Sequence, residues 1–438
     1  MLGRSIAAGN GYRWYAQDDL DLIASIIDFD TLDADYDSRG IITSFRAPLY
    51  PAFLALIYWI FGAGVNRFLF VRIAQAVIGA LLVPLIYLIS SIIWPGNKRM
   101  AEISAILVSI YPMFVIYPLS LATENLFFIL ILLSLFFLLK ASQTNIGMHY
   151  LLCGILLGLS SLTRSIALGF AVLSILWVFV VLKHRKNALI LLCGLIVIVL
   201  PWIVRNSLLH DKLMGVESSL GYNLYLGYHP KNTGTFQFGI SLDLIPILDD
   251  GLRDEIGMSN AIEFIKSDPG RVIYLTIRKL GYFMGLEKRE LIYLYSNNFF
   301  GYIPNPAMWL LLVLFLTPFI IISLSAVVGF FLIPWNRNNI FLLLLILGYT
   351  LPHIFILGGA RFHLALIPIL ALGAAYFWVS GVSILKKEFS KRRIPPKLII
   401  LSFIILAMLM NWTFELIMDK HLFIAILNSG GNTTHFPY

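Results

Sequence analysis

The chain has 438 residues, of which 59% are hydrophobic and 13% charged, with a formal net charge of +8. This composition is far from a soluble average and excludes a water-soluble globular enzyme; the basic excess does not call for nucleic acid, because it gathers in short loops between apolar runs. The only two cysteines, Cys153 and Cys193, fall inside apolar stretches and read as packing residues, not as a disulfide or metal pair.

The first 47 residues carry eight aspartates, at 18, 19, 21, 28, 30, 33, 35 and 37, against four arginines. Pro48-Leu49-Tyr50-Pro51 then opens an apolar run that ends near Gly62, about 15 residues and too short to cross. A re-entrant or interfacial helix is expected there, entered through prolines that suit a helix start, with Tyr58, Trp59 and Phe61 at interfacial depth.

Crossing roughly 30 Å of hydrocarbon takes about 20 residues. Stretches that serve lie at 68–94, 101–120, 122–140, 149–163, 166–183, 187–205, 304–335, 339–358, 362–384 and 397–417. Placing Lys98, Arg99, Lys140, Lys183, Arg185, Lys186, Arg337, Lys386, Lys387, Lys391, Arg392 and Arg393 all on the cytoplasmic face requires ten crossings. Joining 149–183 into one helix would set Lys140 opposite the Lys183 cluster, and dividing 304–335 would turn the strongest basic loop outward. The expected class is thus an all-α polytopic membrane protein with external juxtamembrane helices. Its expected organisation is a first external loop at 1–67, six spans in 68–205, an external segment at 206–303, four spans in 304–417 and an external tail at 418–438.

Within 206–303, the stretch from Gly221 to Pro230 reads as a glycine and aromatic loop. Two helices follow, at approximately 252–267 and 270–286, separated by Asp268-Pro269 because proline disfavours a helical residue before it. The second mixes Val272, Ile273, Leu275, Leu280 and Phe283 with Arg271, Arg278 and Lys279, a composition suited to a membrane surface.

Glu124 stands out because apolar residues flank it on both sides. A charge in hydrocarbon costs roughly 2.5 to 3.5 kcal/mol, which points to a membrane face or a wet cavity and to function. The plainer alternative is a helix start after Thr123, where the macrodipole favours an acid. Arg46, Arg164, Arg205 and Arg361 all fall at the outer ends of spans or of the interfacial helix. Each offers a planar donor fork to a phosphate, or else snorkels to lipid headgroups. His149, His210, His229 and His363 lack compact zinc-ligand spacing, and no Gly-x-x-x-x-Gly-Lys phosphate loop is present, so neither nucleotide nor organic cofactor is expected. A divalent cation, Mg or Mn, held by Glu124 and a substrate phosphate is compatible with oxygen ligation.

Five motifs occur in order: Ala47-Pro48-Leu49-Tyr50-Pro51, Leu121-Ala122-Thr123-Glu124-Asn125-Leu126-Phe127, Leu159-Ser160-Ser161-Leu162-Thr163-Arg164, Pro201-Trp202-Ile203-Val204-Arg205-Asn206 and Arg361-Phe362-His363. Together they resemble the GT-C membrane glycosyltransferases, in the bacterial branch allied to protein O-mannosyltransferases and lipid A aminoarabinose transferases. The resemblance implies a GT-C helical bundle in the cytoplasmic (inner) membrane. It implies transfer of a sugar from a polyprenyl-phosphate donor to a lipid, glycan or protein hydroxyl at the periplasmic or extracellular side. By motif, Glu124 matches the second acidic position, and Arg205 with Asn206 the span-end pair. Arg361 matches the late arginine, with His363 beside it, and Arg46 with Tyr50 matches the segment closing the first loop.

The same resemblance implies a first span and a principal aspartate ahead of Met1, since 1–12 is similar to the stretch that follows that aspartate. The chain is therefore expected to be truncated or to start at a misassigned codon, with Asp18 and Asp19 as the substitute carboxylates. Two other functions fit the sequence: a carrier or flippase for a lipid-linked sugar, and a catalytically incomplete scaffold subunit.

Overall fold

The computed structural model describes residues 1–23, 36–288, 303–390, 395–421 and 423–424. Aspartates 28, 30, 33 and 35, basic residues 391–393 and most of the tail lie outside that set. The described chain is overwhelmingly helical; among the described residues the one ladder pairs Arg13 with Ile42 and Trp14 with Ile41, antiparallel. Seven of the described helices are long and apolar enough to cross a bilayer: Arg67–Ile93, Glu124–Thr144, Arg185–Leu209, Pro306–Leu332, Arg337–Phe355, Ala360–Phe389 and Pro396–Met418. The chain is an all-α, multi-pass integral membrane protein.

The other three expected spans are helical but shorter or broken. Lys98–Ser109 and Pro112–Leu119 meet at a bend of 56°. Pro112 lacks an N–H and keeps Tyr111 out of the helical region, so the straight span expected at 101–120 cannot form. Gly147–Ser161 and Ala167–Val181 are separate helices, as the charge ladder requires. The 15 residues of the former reach only about 22 Å at the usual rise. The expected span 304–335 is one helix, Asn305–Leu332, with Pro318 inside it.

The chain divides into two compact units. The first comprises residues 1–82, 117–276 and 355–357, and the second residues 83–116, 277–354 and 358–438. In the first, Gly154 of Gly147–Ser161 and Gly194 of Arg185–Leu209 let two helices touch backbone to backbone. A Cβ on Gly154 would lie 2.1 Å from the Leu191 carbonyl oxygen. Leu49–Phe61 packs against Leu2–Ala7 through Gly3 and leaves Trp59, Ile60 and Phe61 exposed, while Tyr58 is buried.

Two readings of the stretches outside the expected spans need correction. The stretch read as a glycine and aromatic loop is the helix Leu220–Tyr228. Its Gly221 lies against Asp250–Ser267, where a Cβ would come 1.9 Å from the Asp254 carbonyl oxygen; the glycine marks a helix crossing, not a turn. The aspartate-rich amino-terminal stretch also holds helices, Leu2–Ala7 and Gln17–Ile23. The helices expected at 252–267 and 270–286 appear as Asp250–Ser267 and Pro269–Phe283.

In the second unit the helix Ile367–Tyr376 is buried along its whole length. It meets Asn305–Leu332 at Gly329 and Gly373, where a Cβ on Gly329 would lie 1.9 Å from the Gly373 carbonyl oxygen. Cys153 is buried, Cys193 is exposed, and both are free.

Candidate active site

Glu124 opens the helix Glu124–Thr144 and is only 7% exposed. Its carboxylate pairs with the Arg164 guanidinium. Thr123 Oγ1 donates to Glu124 Oε2 at 3.1 Å and accepts from Arg164 Nη1 at 3.4 Å. Arg164 stands in the break between Gly147–Ser161 and Ala167–Leu176, so it is the interruption of two short helices that delivers the cation. A buried pair of this kind offsets the desolvation of both ions, and removal of either partner strands the other.

Hydrogen bonds from several elements fix the turn ahead of Glu124. Asn125 Nδ2 donates to the Ser120 carbonyl at 3.1 Å, Arg72 Nε to Leu119 at 2.8 Å, and Gln75 Nε2 to Pro118 at 2.8 Å and Ser120 at 2.9 Å. Gln75 in turn accepts from the Tyr50 hydroxyl at 2.7 Å. Tyr50, a substrate-binding candidate by motif, is 5% exposed and braces this turn through Gln75. Glu217, from the segment after Arg185–Leu209, reaches the same neighbourhood, where Ser165 Oγ donates to it.

A second constellation surrounds Arg205. Its Nη1 donates to the Thr43 carbonyl at 2.6 Å and to Asn206 Oδ1 at 2.9 Å, and the guanidinium lies 4.7 Å from the Trp202 ring and 5.6 Å from that of Tyr12. Asn206 is fully buried, and its Nδ2 donates to the Gly215 and Val216 carbonyls, closing the chain back after the span. The Tyr12 hydroxyl donates to the Arg46 carbonyl at 2.8 Å. Burial, with Glu217 adding and Arg205 opposing, pushes this phenol well above its ordinary value, so it stays a donor. Arg46 itself is exposed, its guanidinium 4.9 Å from the Phe45 ring, and no carboxylate pairs with it among the described residues.

The remaining candidates lie apart from these two groups or in the second unit. Asp19 is buried and pairs with Arg4 at 2.8 Å, whereas Asp18 is exposed in the first turn of Gln17–Ile23. In the second unit Arg361 is exposed over Phe362, at 5.2 Å. His363 is 1% exposed, bonded through Nε2 to Glu287 at 2.9 Å and through Nδ1 to the Phe283 carbonyl at 2.6 Å. The divalent cation fits this arrangement poorly. Among the described residues no three His, Cys, Asp or Glu side chains gather as ligands, and the Glu124 carboxylate faces a guanidinium.

Sequence reasoning missed Asp250, Arg253, Glu217 and Glu287. Asp250 is 3% exposed and accepts from Thr43 Oγ1, from the Ser44 N–H at 2.8 Å and from Arg253. Nothing in the linear pattern joins Asp250 to Thr43, 207 positions away. The adjacent pair Asp249-Asp250 reads as a helix start, which Asp249 indeed caps by accepting from Gly251 N at 2.7 Å and Leu252 N at 3.0 Å.

Residues 46–204 match the family described as dolichyl-phosphate-mannose-protein mannosyltransferase. Over that stretch the chain is similar to that family. The stretch runs from Arg46 to the residue before Arg205 and includes both Glu124 and Arg164. Two solved structures of ArnT from Cupriavidus metallidurans are similar to this chain. The one bound to undecaprenyl phosphate shares 15% identity, covering 81% of this chain and 72% of that one with a TM-score of 0.35. The apo one shares 14%, covering 90% and 74% with a TM-score of 0.36. No curated protein matches. The matched stretch holds the buried acid and its guanidinium partner, while Asp250, Arg253 and Arg361 come from beyond it.

Proposed function

We propose that the chain moves a sugar from a polyprenyl-phosphate donor to a hydroxyl of a lipid, glycan or protein acceptor on the non-cytoplasmic face, with inversion. The observation that carries this reading is the partly buried Glu124–Arg164 pair inside the family-matched stretch. As the acceptor oxygen attacks the anomeric carbon, the bond from that carbon to the phosphate oxygen breaks and its electron pair leaves on the phosphate. Glu124 receives the acceptor's proton, with exposed Asp18 as the second carboxylate open to that task. Arg46, whose donors meet no carboxylate among the described residues, receives the leaving phosphate, and Arg205 adds positive charge beside it. The external segment 206–303 shapes the acceptor side. An open cavity of about 460 Å³ lined by Lys212, Met214, Asp254, Glu255 and Met258 supports that assignment.

The test is transfer of radiolabel from a panel of hexosyl and pentosyl polyprenyl phosphates to hydroxyl acceptors, using membranes that contain the chain or its Glu124→Gln variant. Label reaching an acceptor with the wild type and not with the variant is the expected result. Movement of the lipid-linked sugar across vesicles without transfer would replace this reading with that of a carrier.

A further inference from the structure

We propose that Asp250 and Arg253, both in the external helix Asp250–Ser267, are positioning residues that set the Thr43–Arg46 loop so that Arg46 and Arg205 meet one phosphate. This inference rests on the phosphate-linked donor of the preceding section and goes beyond it in naming what aims the cations.

The loop carries no regular structure of its own at the point where it matters. Thr43 and Ser44 are fully buried, yet their polar groups are satisfied almost wholly from elsewhere. Asp250 takes the Thr43 hydroxyl and the Ser44 N–H on one oxygen and Arg253 on the other. Ser44 Oγ lies 2.7 Å from His210 Nε2 and 2.8 Å from Ser218 Oγ. The Thr43 carbonyl, turned the other way, is what Arg205 grips at 2.6 Å. One buried carboxylate thus fixes a residue whose two faces are read by Asp250 and by Arg205.

Arg253 extends the hold to Arg46. It is 0% exposed, donates to the Ile247 carbonyl at 2.9 Å, and lies 4.4 Å from the Phe45 ring. Arg46 lies 4.9 Å from that same ring. Phe45 therefore sits against two guanidiniums, one buried and neutralised by Asp250, the other exposed and unmatched by any carboxylate among the described residues. A buried cation without its acid would disturb the ring on which Arg46 rests. Asp250 and Arg253 themselves touch no substrate in this scheme; they act through Arg46 and Arg205.

The experiment is a double-mutant cycle read in phosphate binding, not in turnover. Affinity of the full chain in detergent for undecaprenyl phosphate is measured by microscale thermophoresis for the wild type, Arg46→Ala, Asp250→Asn and the double variant. Each single change should weaken binding about tenfold, about 1.4 kcal/mol, and the double variant should lose clearly less than the sum of the two, because part of the Asp250 effect runs through Arg46 and the rest through Arg205. Asp250→Glu should restore part of the loss. Should Asp250→Asn fail to fold, Thr43→Val removes one donor to the same carboxylate and enters the same cycle. Additive losses, unchanged binding in the Asp250 or Thr43 variants, or no binding by the wild type would each overturn the inference. Coupled phosphate binding without any sugar transfer would instead overturn the transferase reading and leave this one standing.

Discussion

The backbone N–H of Leu49 donates to the carbonyl of Leu162 at 2.8 Å. This single bond joins the start of the helix that carries Tyr50 to the turn that carries Arg164. Tyr50 then ties the same helix to Gln75, which holds the turn ahead of Glu124. The carboxylate and the guanidinium are thus delivered by separate elements but aligned by one network of backbone carbonyls. Preorganisation of this kind lets a buried pair act without rearranging when a charge develops beside it.

Replacing Glu124 with glutamine should remove the negative charge while keeping the Thr123 contact. Transfer is expected to fall at least about 100-fold, the usual scale for a proton-transfer group, with insertion retained and abundance lowered by the stranded Arg164. Initial rates in isolated membranes, normalised to protein by immunoblot, check this; more than half of wild-type activity would remove Glu124 from the site.

The Gly154–Gly194 crossing gives a stability prediction independent of function. A Cβ on Gly154 would meet the Leu191 carbonyl oxygen at 2.1 Å, and backbone cannot step aside as a side-chain tip can. Gly154→Val should cost about 3 kcal/mol, at the upper end for an overpacked core. Gly169→Val serves as the control, because nothing lies within 4 Å of its built Cβ. Thermal unfolding in detergent should separate the two variants clearly.

Apolar length and the sidedness of basic residues reveal the helices because both are one-dimensional consequences of the bilayer: each span must be long, and each cytoplasmic loop must keep its cations. The same rules leave out the bend at Pro112, whose effect depends on where the next turn can dock, and the helix Leu220–Tyr228, where glycine serves close packing. Among site residues, Glu124 and Arg164 are visible separately, as a misplaced acid and a span-end cation. Their pairing is not visible, since it depends on how three helix ends meet. Asp250 is the extreme case, an ordinary helix-start acid in sequence that becomes a buried hub only through a contact with Thr43.

His229 gives the segment 206–303 a pH dependence. Burial holds its imidazole below the ordinary value, against the pull of Asp243 at 4.0 Å and with Lys231 and Arg271 adding to the lowering. Because the folded value lies below the unfolded one, the unfolded chain takes up the proton first. The contribution is complete above the unfolded value of about 6.5 and is lost as pH falls through the lower folded value. Melting temperature of the wild type should therefore drop more between about pH 7.5 and about pH 5 than that of His229→Gln. Parallel pH profiles for the two proteins would contradict the assignment.

Glu287, in the second unit, concentrates more buried polarity than any residue the motifs point to there. It is 1% exposed; one oxygen accepts from the Tyr111 hydroxyl and lies 2.9 Å from His363 Nε2. His363 Nδ1, against the Phe283 carbonyl, must be the N–H donor of that contact, since a carbonyl only accepts. Phe319 stacks on the imidazole at 4.2 Å, so neither ring nor carboxylate has room to seek water. Glu287→Ala would leave the Tyr111 hydroxyl and the His363 ring nitrogen without this partner at once, and each orphaned group costs about 1–3 kcal/mol. A loss of about 4 kcal/mol is expected for Glu287→Ala, and about 1 kcal/mol for Glu287→Gln, which keeps an acceptor oxygen in place. Chemical unfolding in mixed micelles measures both; equal losses would show that the carboxylate charge, not an acceptor oxygen of the right volume, is what Glu287 supplies.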